Sequence, residues 1–271
     1  MTTAISTISA EPTVRSLVQQ TVSSLPASYR IAGDEPADIT VIDGTKDWAV
    51  RASVAVLAGA EEILVVDPRP TKTTSVGDLI TMAASEGTRL DVIESFAGNP
   101  AITAARADTH LPLARSRVVF ERAVDSESSI DAIIFDQLRV LRALPVECLE
   151  VIDAEVTSDA ATVAIRARSG GAASLVRLLA IRSTAQPRSH RIRAHGPDEI
   201  VKWYLPGPEN ARPAHVSIVT PSGERVLPTI HQTALRDTLL RRRDRVPTTP
   251  RLDGVLDDIE LLTSMMQDVT I

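Results

Sequence analysis

Apolar and polar positions alternate along this chain in two different rhythms. The clearest block begins at residue 38. "DITVIDG" (38–44) is an apolar run of strand length. "KDWAVRASVAVLAGA" (46–60) carries apolar residues at helical spacing and stops at Gly59, and "EEILVVD" (61–67) is a second buried strand. "SVGDLITMAASEG" (75–87) then predicts a helix and "RLDVIES" (89–95) a third strand. Strands alternating with helices of this length are βαβ units, which predicts a parallel sheet with right-handed crossovers. Upstream, Val14, Leu17, Val18 and Val22 share one face of a helix expected over residues 13–25. Tyr29 to Ala32 reads as a short strand, and the polar residues 1–10 are expected to be loose.

The rhythm changes after about residue 112. "SSIDAIIFDQLRVLRAL" (128–144) is an apolar-faced helix. Strand patterns follow in "VECLEVIDAEVT", "ATVAIRARS", "ASLVRLLAIRS", "SHRIRAHG", "EIVKWYL" and "HVSIVTP", with hairpin-type breaks at Gly170-Gly171 and in "TPSGE" (220–224). Two helices close the chain, "TIHQTALRDTLLRRR" and "LDGVLDDIELLTSMMQ", joined by "VPTTP". The fold class expected is α/β followed by α+β. A partial Rossmann-like parallel-sheet domain over 1–112 precedes a mostly antiparallel, open-sheet α+β domain over 113–271.

Composition narrows the partners. The 271 residues carry a formal net charge of −6, which disfavours a broad nucleic-acid surface. Of 29 basic residues only three are lysines, Lys46, Lys72 and Lys202, so amine chemistry has three candidates. One cysteine, Cys148, excludes an internal disulfide and a multi-cysteine metal site, and no metal site is expected. The first residues lack the basic-then-apolar pattern of a signal peptide, and no apolar run approaches a membrane span. A cytoplasmic setting is expected.

In an open parallel sheet, ligands bind beyond the carboxyl ends of the strands. The first clear strand ends at Asp43, Gly44, Thr45, Lys46 and Asp47, the next at Asp67, Pro68 and Arg69, and the third at Glu94 and Ser95. Asp43, Lys46, Asp67 and Arg69 would form a polar site at these neighbouring mouths, or would simply pair as loop charges in solvent. With Trp48 they are the candidate ligand-binding residues. Lys46, Asp67 and Arg69 are the candidates for catalysis.

The stretch "ADITVIDGTKDWAVRASVAVLAGAEEILVVDPRP", with the helix after it, resembles the second half of the nucleotide-binding domain of the Gfo/Idh/MocA oxidoreductases. "FDQLRVLRAL", the strands after it and "PRLDGVLDDIELLTSMM" resemble that family's second domain, so the resemblance spans residues 37–265. It implies descent from NAD(P)-dependent dehydrogenases of sugars and cyclitols. The departures are as informative. No G-x-G-x-x-G occurs anywhere, and the stretch before residue 37 is too short for the full cofactor-binding half. Where the family has Glu-Lys-Pro after the second strand, Asp67 stands for the Glu, and Pro68 or Arg69 replaces the proton-transferring Lys. Arginine is a poor acid or base at neutral pH. Trp48 stands where the family's helix often carries His. The second-domain Asp and His positions fall near Ser129 and Ile133, and Asp136 keeps the later acidic position.

On this resemblance the chain is an N-terminally truncated, degenerate member: an accessory or non-catalytic subunit that pairs with itself or a full-length relative through its C-terminal sheet. No cofactor is expected, and NAD(P) enters only through an unusual binding mode. Two alternatives stand beside this. One is an enzyme still acting on a sugar-, cyclitol- or hydroxy-acid-like substrate, as a dehydrogenase, lyase or isomerase. The other is a small-ligand-binding regulatory module. The Asp67/Arg69 pair would then be a turn kept for its backbone, an anion-binding fork, or a plain ion pair. Elsewhere, Arg241, Arg242, Arg243 and Arg245 read as the solvated end of a helix. His190 and His195 read as surface or strand positions without an acidic partner. Trp203 and Tyr204 read as core or interface, and Met265 and Met266 as packing.

Overall fold

The Ser- and Thr-rich segment expected to be loose contains a strand, β1 (Ser6–Ala10). The computed structural model describes residues 5–33, 35–108, 118–144, 148–169, 172–210, 212–244 and 252–268. In it, β1 pairs in parallel with β2 (Tyr29–Ile31) on one side and β3 (Ile39–Asp43) on the other. This corrects the expectation, and the reason is chemical. The Asp38 carboxylate accepts from the Thr7 amide at 2.7 Å and its hydroxyl at 3.0 Å, and the Ser9 hydroxyl donates to the Thr40 hydroxyl at 3.3 Å. With its polar side chains satisfied by neighbours, a polar segment can be buried.

The first unit comprises residues 1–94 and 234–259. After β1, α1 (Arg15–Ser23) returns the chain to β2. From β3 it passes through α2 (Trp48–Leu57) to β4 (Glu62–Val66), then through α3 (Thr73–Glu86) to β5 (Arg89–Ile93). The strand order is β2-β1-β3-β4-β5, all parallel. Every residue of β4 is buried, as befits a strand covered on both faces. The direction of winding reverses between β1 and β3, so right-handed crossovers put α1 on one face and α2 and α3 on the other. On the α1 side, Val14, Val18 and Val22 join Ile8, Ile39, Val41 and Leu64 in one apolar cluster. A helix from the far end of the chain, α6 (Ala234–Arg243), adds Ala234, Leu235 and Leu239 to it, and the Tyr29 hydroxyl donates to the Leu239 carbonyl at 2.8 Å.

The arginines at the end of α6 were expected in solvent, and one is not. Arg242 has a side chain 15% exposed, pairs with Glu62 and reaches Asp91 at 2.9 Å. Arg241 pairs with Asp237 and Arg243 with Asp244, while Arg245 lies outside the described residues.

The second unit comprises residues 95–233 and 260–271. The expected boundary at residue 112 lies outside the described residues, as do Gly170 and Gly171. The unit holds α4 (Pro100–Asp108), β6 (Val118–Asp125), α5 (Ile130–Ala143), β7 (Cys148–Val156), β8 (Ala160–Ser169), β9 (Ala172–Arg182) and β10 (Ser189–His195). It continues with β11 (Ile200–Pro206), β12 (His215–Thr220) and β13 (Gly223–Val226). The last helix, α7 (Leu252–Asp268), is divided between the two units at Ile259. The sheet order is β13-β12-β11-β10-β6-β9-β8-β7. Only β6 and β9 pair in parallel; the other neighbours are antiparallel. The central strand β6 was not anticipated, because Glu121 and Arg122 interrupt its apolar pattern. Trp203 is 6% exposed and Met265 3%, so both are core residues.

Candidate functional site

The candidate residues run from Asp43, the last of β3, to Trp48, the first of α2, and over the turn beyond β4. These segments are laced together by backbone hydrogen bonds. The Gly44 amide donates to the Val66 carbonyl, the Arg69 amide to the Gly44 carbonyl, and the Asp67 amide to the Ile93 carbonyl, each at 2.7 Å. A Cβ on Gly44 would lie 2.4 Å from both the Pro68 nitrogen and the Val66 oxygen, so only glycine allows this approach. Asp67 and Asp47 adopt left-handed backbone angles, with φ of 48° and 55°. Aspartate is one of the few non-glycine residues that tolerate them.

Each candidate side chain has a definite place. Asp43 is half-buried, and its carboxylate accepts from the Thr45 amide at 3.1 Å. Lys46 is exposed, and Asp67 and Arg69 are half-buried. Trp48 is fully buried, and its indole nitrogen donates to the Arg69 carbonyl at 2.9 Å. In this conformation the Trp48 ring therefore belongs to the core and steadies the turn after β4. Glu94, at the end of β5, is buried.

Two charged arrangements escaped the sequence reading. The first is at the reversal point of the parallel sheet. Glu11 follows β1 and accepts from the Asp43 amide at 2.8 Å and from Arg51 Nε at 2.8 Å. Arg51 also donates to the carbonyls of Lys46 and Asp43. One guanidinium on α2 thus binds the loop after β1 to the loop after β3.

The second lies within the eight-stranded sheet. His190 was expected to lack an acidic partner, yet its Nδ1 lies 2.6 Å from Glu121 Oε1, and the two residues are 2% and 1% exposed. The partner is 69 positions away, so no local spacing reveals it. Burial pushes the Glu121 carboxyl above the usual carboxylate range, and the hydrogen bond and charge of His190 oppose this only in part. One proton leaves the pair electrically neutral whichever residue holds it. His190 stacks on Phe96 at 4.0 Å, and the Arg188 guanidinium lies 4.8 Å over the same ring. Arg188 also bridges Asp125 at 3.1 Å and Asp136 at 3.0 Å. Burial raises Asp125, but amide bonds from Glu127 and Ser128, the Ser128 hydroxyl and Arg188 outweigh it and hold this carboxyl low. Of the positions singled out on α5, Ser129 precedes the first turn, Ile133 is buried, and Asp136 is held by Arg188.

Among the described residues no helix is long and apolar enough to cross a membrane. No family model and no curated protein sequence matches the chain. Solved structures do share its fold. UDP-N-acetylglucosamine 3-dehydrogenase GnnA from Acidithiobacillus ferrooxidans superposes with a TM-score of 0.70 at 15% identity, covering 97% of each chain. A variant of KijD10, a 3-ketoreductase from Actinomadura kijaniata in complex with TDP-benzene and NADP, gives 0.75 at 12% identity, covering 97% of this chain and 98% of that one. A dehydrogenase from Chromobacterium violaceum gives 0.68 at 10% identity, covering 98% and 95%. Likeness at such identities establishes fold rather than activity. The chain therefore has the two-domain fold of the Gfo/Idh/MocA oxidoreductases, a Rossmann-like parallel sheet joined to a mostly antiparallel open sheet.

Proposed function

We propose that this chain is a degenerate relative of the Gfo/Idh/MocA oxidoreductases that works as an accessory or non-catalytic subunit, paired with itself or with a full-length relative. The turn after β4 carries the reading. The resemblance asks there for a lysine able to exchange a proton, and the chain supplies Pro68 and Arg69. A guanidinium keeps its proton at neutral pH. The turn instead acts as a structural tie, with the Arg69 amide bonded to Gly44 and its carbonyl to Trp48. At the expected histidine position on α5, Ile133 has no proton to give.

Association through the eight-stranded sheet is supported by one of its faces. Arg177 on β9 and Arg191 and Arg193 on β10 are exposed beside Leu179 and the half-buried Tyr204. Arg191 lies 5.4 Å over the Tyr204 ring, and none of these three arginines has an ion-pair partner among the described residues. Arginine and tyrosine beside exposed leucine is a composition typical of protein interfaces.

The test combines an assay with sedimentation. The purified chain should show no NAD(P)-dependent turnover across sugars, cyclitols and hydroxy acids. Arg191→Glu with Arg193→Glu should weaken any self-association or binding to a full-length relative. The competing reading is an active enzyme on such a substrate, and it is favoured by the UDP-N-acetylglucosamine 3-dehydrogenase and the 3-ketoreductase that share the fold. A turnover abolished by Lys46→Ala would establish it and overturn ours.

A further inference from the structure

Two loops flank the point where the winding of the parallel sheet reverses. One joins β1 to α1 and the other joins β3 to α2. In doubly wound sheets this crevice takes the pyrophosphate of a dinucleotide, which rests on backbone N–H groups at a helix N-terminus while glycines let it come close. The residues here do not fit that group. The loop after β1 reads Glu11-Pro12-Thr13-Val14 and contains no glycine. Pro12 has no N–H to offer, and the Glu11 N–H is already given to the Val41 carbonyl at 3.1 Å. The crevice instead receives the Glu11 carboxylate.

The bonding of that carboxylate is what a bound anion would need. One oxygen accepts from the Asp43 amide and the other from Arg51 Nε, both at 2.8 Å. The remaining Arg51 nitrogens are fixed on the carbonyls of Asp43 and Lys46, so the guanidinium is oriented by the loop that it serves. A backbone amide beside an oriented guanidinium is a recurrent way to hold a phosphate or carboxylate oxygen. A pyrophosphate arriving here would find both donors taken and a negative charge in its place.

We infer that Glu11 is a tethered anion filling the switch-point site of this fold, and that the Asp43 amide and Arg51 would hold a free phosphate group once that carboxylate is removed. The inference rests on the accessory-subunit reading only in that both deny the chain a conventional dinucleotide site, and it is tested by binding rather than turnover. Calorimetric titration of the full chain with inorganic pyrophosphate should show no saturation for the wild type below about millimolar. Glu11→Ala should tighten binding by about tenfold or more, and adding Arg51→Met should abolish that gain. Glu11→Gln keeps the shape while removing the charge, and it should show a smaller gain if the alanine variant fails to fold. Wild-type protein that binds NADPH at micromolar concentration with Glu11 in place would overturn the inference. So would folded Glu11 variants with unchanged affinity for pyrophosphate. Turnover by the wild type, with pyrophosphate affinity still governed by Glu11, would sink the accessory reading alone.

Discussion

Glu121 illustrates how one residue's burial writes a pH dependence into a whole unit. Its carboxyl is raised in the folded protein by desolvation, so between the ordinary glutamate range and that higher value the folded state holds a proton that the unfolded chain has lost. Stability from this group is fully present below the unfolded pKa and is lost as pH rises through the folded one. Glu121→Gln removes the titration while keeping an acceptor for His190. The wild type should lose stability over that window while the variant stays flat, and urea midpoints at a series of pH values will show it. Parallel curves would mean that Glu121 is ionised throughout. The sequence showed Glu121 as an interruption in an apolar run and His190 as a strand residue. The 2.6 Å contact between them depends on β6 and β10 being neighbours, which no local pattern encodes.

At the scale of the element, β1 is the instructive case. Its sequence, Ser-Thr-Ile-Ser-Ala, has one large apolar residue, Ile8, which is fully buried between β2 and β3. Ile8→Ala should cost about 2–5 kcal/mol, the range for emptying a packed core position. The urea midpoint would fall with its slope unchanged. A loss under about 1 kcal/mol would show that β1 frays in solution. The strands and helices between residues 38 and 95 were legible because each buried side repeats at the period of its element. β1 was not, because its burial depends on Asp38 and Thr40 from another strand meeting its hydroxyls. β6 was hidden for the same kind of reason.

At the scale of the whole molecule, the N-terminal sheet is completed by α6, drawn from beyond residue 233. Arg242 fixes that return. Its guanidinium has lost much of its water, and burial pulls its pKa below the usual arginine value, with Tyr29 opposing the shift only in part. Replacing Arg242 with Leu takes one buried cationic partner from two carboxylates whose side chains are 4% and 12% exposed, and leaves Glu62 with Arg89 at 3.1 Å. The cost should be about 3–5 kcal/mol, as for other broken buried ion pairs. Hydrogen exchange should show α6 losing protection first, and Glu62→Gln with Asp91→Asn should recover part of the loss. Retained protection in α6 would mean that its apolar face alone holds it.

The sequence by itself determined the alternation of strand and helix and the change from a parallel to a mostly antiparallel sheet. These are local properties, because side-chain periodicity follows the backbone's own repeat. Tertiary structure alone decided that a polar N-terminal segment is an inner strand, that Arg242 faces the sheet, and that Glu11 and Arg51 occupy the crevice at the reversal point. Each depends on groups from distant parts of the chain satisfying one another once water is excluded, and charge or polarity read along the chain does not say which groups will meet.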